Sequence, residues 1–126
     1  MPTKILSVDD SATMRRMVGR VVATLGLELL EAANGLEALE VLRRNPGEVA
    51  LVVLDVNMPE LDGEQTLLEI KRDPALQSIP VMMLTTESER NRVLGFIQAG
   101  AANYLMKPFT PEDLATKIAG CLGDLF

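Results

Sequence analysis

The sequence predicts an α/β domain, a doubly wound parallel sheet of five strands with five helices laid on both faces. Short apolar runs at residues 4–8, 27–31, 50–54, 80–84 and 103–106 alternate from end to end with longer segments of helical period. The runs are near-continuously apolar, as strands buried on both faces must be. Charged or hydroxyl residues stand where several of them stop, and open α/β sheets gather their chemistry at those ends.

Each element has a local reason. Ile5-Leu6-Ser7-Val8 makes the first strand, and Asp9-Asp10 ends it. Ser11 caps the first helix, on which Met14, Met17, Val18, Val21, Val22 and Leu25 share one face, and Gly26 ends it in the left-handed conformation. Gly35, Asp62-Gly63 and Gly100 punctuate the middle of the chain. Ala50-Leu51-Val52-Val53-Leu54 delivers Asp55 to the loop Val56-Asn57-Met58-Pro59. Val81-Met82-Met83-Leu84 stops at Thr85, with Thr86 and Ser88 competing to cap the helix that follows. Tyr104-Leu105-Met106 leads into Lys107, and Pro108 biases that lysine toward an extended backbone. Thr110 caps the last helix with Pro111 at its first position, and Leu114, Ile118, Cys121, Leu122 and Leu125 form its apolar stripe.

Composition excludes several function classes. The 126 residues form one domain, 1–126, with no linker, repeat or low-complexity stretch, so no separate output domain is expected. A net charge of −6 argues against a nucleic-acid surface. The absence of histidine removes His-based triads, imidazole–metal sites and phosphohistidine chemistry on this chain. Cys121 stands alone, so it forms no internal disulfide and is read as core. The apolar run after Met1-Pro2-Thr3-Lys4 is too short for a signal peptide, and no stretch approaches a membrane span. The expectation is a soluble, cytoplasmic monomer without membrane contact.

Right-handed crossovers bring Asp9, Asp10, Asp55, Thr85 and Lys107 to one edge of the sheet. Carboxylates packed together repel one another unless a cation neutralises them. An all-oxygen ligand set without His or Cys suits Mg²⁺, or Mn²⁺. Asn57 offers a backbone carbonyl or is a plain turn residue. Asp55 is either a metal ligand or a nucleophile toward phosphorus, and Lys107 can neutralise the product.

Asp9-Asp10, Asp55 with Asn57-Met58-Pro59-Glu60-Leu61-Asp62-Gly63, Thr85 and Lys107-Pro108-Phe109 together resemble the receiver domain of two-component response regulators. Ser11-Ala12-Thr13-Met14-Arg15-Arg16 and Asp55-Val56-Asn57-Met58-Pro59 bring it closest to the stand-alone, CheY-like chemotaxis type. The resemblance covers essentially the whole chain and implies a flavodoxin-like (βα)5 fold with strand order 2-1-3-4-5. It implies that Asp55 accepts a phosphoryl group from a histidine kinase. Asp10, Asp55 and the Asn57 carbonyl would hold Mg²⁺ directly, and Asp9 would act through metal-bound water. Lys107, joined to Pro108 by a cis peptide, would pair with the phosphoryl group. Thr85 and Tyr104 would form the switch that repacks the surface of the fourth helix, fifth strand and fifth helix.

Asn57, Thr86 and Glu87 flank the opening and are expected to tune phosphate lifetime; Thr86 is bulkier than the Ala or Gly usual there and would narrow access. Output would pass by protein contact, with the flagellar motor switch as leading target and a phosphatase as a further partner. A phosphate sink or shuttle is the main rival, and an adaptor in another two-component circuit a further one. An aspartate-nucleophile phosphohydrolase is disfavoured because Asn57 cannot supply a proton to a leaving group. A flavin binder is disfavoured because aromatics are only 3% of the chain and the acids would repel the flavin phosphate. Arg15, Arg16 and Arg20, with Met14 and Met17, could dock a kinase or phosphatase, but fit more simply as solvated arginines and core methionines.

Overall fold

Strands and helices alternate in the order β1 (Lys4–Val8), α1 (Ala12–Thr24), β2 (Glu28–Ala32), α2 (Gly35–Arg44), β3 (Val49–Asp55), α3 (Gly63–Arg72), β4 (Val81–Thr85), α4 (Val93–Gln98), β5 (Asn103–Met106) and α5 (Pro111–Leu122). The computed structural model describes residues 2–58 and 61–123. All strand pairs are parallel, in the order β2-β1-β3-β4-β5, as the resemblance implied. The chain thus winds outward from β1 in one direction and then from β3 in the other, leaving a switch point between β1 and β3.

Side chains alternate across the sheet and feed two cores. On one face Leu6, Val52, Leu54 and Met83 meet Leu39 and Leu42 of α2, Leu67 and Ile70 of α3, and Phe96 of α4. On the other, Ile5, Leu51, Val53 and Met82 meet Val18, Val21 and Val22 of α1 and Leu114, Ile118 and Leu122 of α5. The seven residues of β3 are all buried, so it is the spine of both cores.

The caps fall where expected. Ser11 Oγ accepts the Met14 N–H, Thr110 accepts that of Asp113 with Pro111 following, and Gly26 has φ 75°. β4 starts one residue later than the apolar run, because Pro80 has no N–H; its carbonyl still accepts from Val52 at 3.0 Å.

Two expectations need correction. Met14 and Met17 are half-buried and belong to neither core. Cys121 is half-buried at the rim of the α5 core rather than inside it, and burial pushes its thiol pKa up; Leu125, the last member of that stripe, lies outside the described residues. The fourth helix is short: a 3₁₀ segment, Glu87–Arg92, precedes only six α-helical residues. Within those six, Phe96 alone is fully buried, Gly95 weakens the helix, and Leu94 and Ile97 face outward.

Candidate functional site

The three acids meet at the C-terminal ends of β1 and β3. A carboxylate oxygen from each of Asp9, Asp10 and Asp55 lies within 4.8 Å of the others. Asp9 is 2% and Asp55 5% exposed, whereas Asp10 faces solvent. The Asp9 backbone is fixed on both sides: its N–H donates to the Ala32 carbonyl at 3.1 Å, and its carbonyl accepts from Arg15 Nη1 at 2.7 Å. Asp9 Oδ1 takes the Ser11 N–H at 2.9 Å, while Oδ2 is buried with no hydrogen-bond partner.

Lys107 comes from the far side, off the end of β5, and is joined to Pro108 by a cis peptide. Its ammonium donates to Asp55 Oδ1 at 2.9 Å and stands 3.5 Å from Asp9 Oδ2. Behind Asp55 the chain turns so tightly that a Cβ on Gly63 would collide with the Asp55 carbonyl oxygen. Glycine there lets the helix start against the strand end.

Thr85 closes β4 beside this group, one residue past Leu84, which lies opposite Asp55. It is fully buried, yet its hydroxyl has no partner. Tyr104 on β5 lies opposite Met83, two residues before Thr85, so Tyr104 and Thr85 share one face of the sheet. The Tyr104 ring is half-buried against the core, with the Lys117 ammonium 5.3 Å from its centroid.

A family profile, the response regulator receiver domain, matches residues 5–119. The chain belongs to this family. It is 40% identical to chemotaxis protein CheY1 of Helicobacter pylori, over 95% of this chain and 97% of that one. A CheY homologue of Campylobacter jejuni is 38% identical over 95% of this chain and 92% of its own. Among solved structures, the chemotaxis protein CheY4 of Vibrio cholerae superposes with a TM-score of 0.87 at 32% identity, covering 97% of this chain and 100% of that one. As a receiver, the protein is a phosphorylation-activated signalling regulator rather than a classical enzyme.

The electrostatics of this receiver's site follow from burial. Desolvation pushes the Asp55 carboxyl up; the Lys107 hydrogen bond pulls it back, and the Asp9 and Asp10 charges reinforce the rise. Burial acts against the Lys107 ammonium as well, but the hydrogen bond and charge of Asp55, with Asp9 behind, outweigh it and raise its pKa. One ammonium therefore faces three carboxylates. The surplus negative charge, the all-oxygen donor set and the orphaned Asp9 Oδ2 suit a hard divalent cation, and receivers bind Mg²⁺ in such an acidic pocket.

Among the described residues, the other expected ones make no hydrogen bond to the acids. Asn57 is exposed in the loop after β3. Thr86 also turns to Glu89, and Glu87 is exposed and paired with Arg90 at 2.9 Å. Pro59 and Glu60 of the loop after β3 lie outside the described residues.

Two residues had escaped the sequence reading. Arg15 is not a solvated arginine: its Nε donates to Glu31 Oε1 at 3.0 Å while Nη1 holds the Asp9 carbonyl. Glu89 is buried and accepts the Thr86 N–H, the Thr86 hydroxyl and the Ser88 hydroxyl. The hydrogen bonds from Ser88 and Thr86 hold its carboxyl down at about 2 against an opposing burial effect. The Thr86–Glu89 spacing is a capping-box signature that could have revealed it.

Proposed function

We propose that the protein receives a phosphoryl group on Asp55 from the phosphohistidine of a histidine kinase, in the cytoplasm, and passes the signal on by protein contact. The reading rests most on one observation: Asp55, at the buried end of the central strand, has Lys107 bonded to it at 2.9 Å and two further acids beside it. An Asp55 oxygen attacks phosphorus, the phosphorus–nitrogen bond breaks, and the imidazole leaves with the electron pair. Asp9, Asp10, Asp55 and the Asn57 carbonyl would hold Mg²⁺ or Mn²⁺, which supplies charge neutralisation for the transferring group. Lys107 holds one face of the resulting dianion. The Thr85 hydroxyl, which has no partner at rest, turns onto a phosphoryl oxygen, and Tyr104 follows on the same sheet face. Hydrolysis of the aspartyl phosphate at the same site resets the protein.

Relatives named as chemotaxis proteins support an output in chemotaxis; the flagellar motor switch is then the target and a phosphatase a further partner. The test is intact mass after exposure to acetyl phosphate and Mg²⁺. The wild type should gain one phosphoryl group and Asp55→Asn none; equal gain by both would refute Asp55 as acceptor. With beryllofluoride standing in for the phosphoryl group, the wild type should capture a motor-switch protein that Asp55→Asn does not. Capture of kinase-side partners alone would make the protein a phosphate sink.

A further inference from the structure

Three carboxylates are buried among the described residues, Asp9, Asp55 and Glu89, and only Glu89 has no part in the reading above. Its Oε1 accepts the Thr86 N–H at 3.1 Å and the Thr86 hydroxyl at 2.7 Å, and its Oε2 accepts the Ser88 hydroxyl. Thr86 directly follows Thr85. Glu89 therefore ties together the segment that leaves β4 directly after Thr85.

A helix cap would need only the backbone N–H. Here the same carboxylate also collects two hydroxyls. Directly before Thr86, the Thr85 hydroxyl is buried and unpaired. The residue expected to move is thus free, while the residue that must move with it is tied down.

We propose that Glu89 is a positioning residue that holds the β4–α4 segment in its resting arrangement through the Thr86 and Ser88 donors, an arrangement that a phosphoryl group on Asp55 must displace. This deepens the proposed function and rests on it. A ligand shifts a two-state equilibrium only by its differential affinity for the two states, so weakening the resting clasp must tighten binding to the active state.

The experiment measures beryllofluoride affinity in Mg²⁺, followed by emission of Tyr104, the only tyrosine in a chain without tryptophan. Wild type, Glu89→Gln, Thr86→Ala and the double variant are compared. Glu89→Gln keeps the shape and removes the charge; it should bind about fivefold tighter or more. Thr86→Ala should tighten binding in the wild-type background and add little once Glu89 is Gln. General loss of stability cannot produce tighter binding, so the readout separates positioning from capping. Ser88→Ala, at an exposed position, should shift affinity the same way by less, and serves if Glu89→Gln does not fold. Unchanged or weaker binding in these variants beside a responsive wild type overturns this inference alone. A wild type that responds no more than Asp55→Asn overturns the phosphoacceptor reading, and this inference with it.

Discussion

The two sides of the site are built differently. On the β1–β3 side, Asp9 and Asp55 end strands whose side chains fill both cores, and Arg15, anchored on Glu31, pins the Asp9 backbone. On the β4–α4 side, a 3₁₀ segment leads into a six-residue helix with one fully buried side chain, and Leu94 and Ile97 are 67% and 40% exposed. Polar contacts hold that side: the Glu89 clasp, and Arg92, which bonds Glu64 at 3.1 Å and lies 5.2 Å over the Phe96 ring. The acid side is fastened before any ligand arrives, so in the proposed function it would receive a phosphoryl group without reorganising. The hydroxyl side is loosely held, as the proposed switch requires. On that reading, receiving and signalling divide between the two sides of one sheet edge.

The largest test of this contrast is Phe96→Ala. Emptying the site of α4's single anchor should cost about 3–5 kcal/mol, read by urea unfolding. Amide exchange should show where the loss falls. Residues 87–98 should open locally, while β1 and β3 amides lose only what the global change dictates. Uniform loss across the sheet would mean that α4 is as integral as the acid side, and the contrast would fail.

Lys107→Ala probes the acid side with a smaller effect. It strips the cation from Asp55 and Asp9, leaving buried like charges. Breaking a fully buried pair costs more, but Lys107 is partly open to water, so the loss should be about 2 kcal/mol. Added Mg²⁺ should recover much of it, because a bound cation supplies the missing charge and stabilises the folded state by mass action. A Tm deficit indifferent to Mg²⁺ would show that Lys107 acts through packing rather than charge.

The same contrast explains what the sequence made legible. Strand runs, caps and turn glycines depend on local spacing, so Ser11, Thr110 and Gly26 lie where their chemistry predicts. Asp9, Asp10, Asp55 and Lys107 were legible together because parallel strands with right-handed crossovers share one C-terminal edge. The α4 region was less so. Its apolar residues Leu94, Phe96 and Ile97 do not reveal which one turns inward, and the structure buries only Phe96. Arg15 and Glu89 eluded the reading because each acts through a group that leaves no residue-type signature: a backbone carbonyl for one, neighbouring hydroxyls for the other. Charged residues at exposed-looking positions read as solvated until their partners are known.

The smallest expected effect concerns acid stability and isolates the clasp without any phosphoryl chemistry. Glu89 titrates near 2 rather than at its ordinary 4.5, so its ionised form favours the folded state. A depressed carboxyl contributes stability that is complete above 4.5 and is lost as pH falls toward about 2. Asp55 has the opposite sign: its raised pKa favours folding at low pH, and that contribution fades as pH rises through the raised value. Asp55 is common to wild type and Glu89→Gln, so it cancels in their difference. The Tm gap between the two should be open and constant at neutral pH, narrow through the window from 4.5 to about 2, and be nearly closed below it. A gap that stays the same across that window would mean that glutamine replaces every function of the carboxylate. The β4–α4 segment would then be held by shape alone, and the polar half of the contrast would lose its basis.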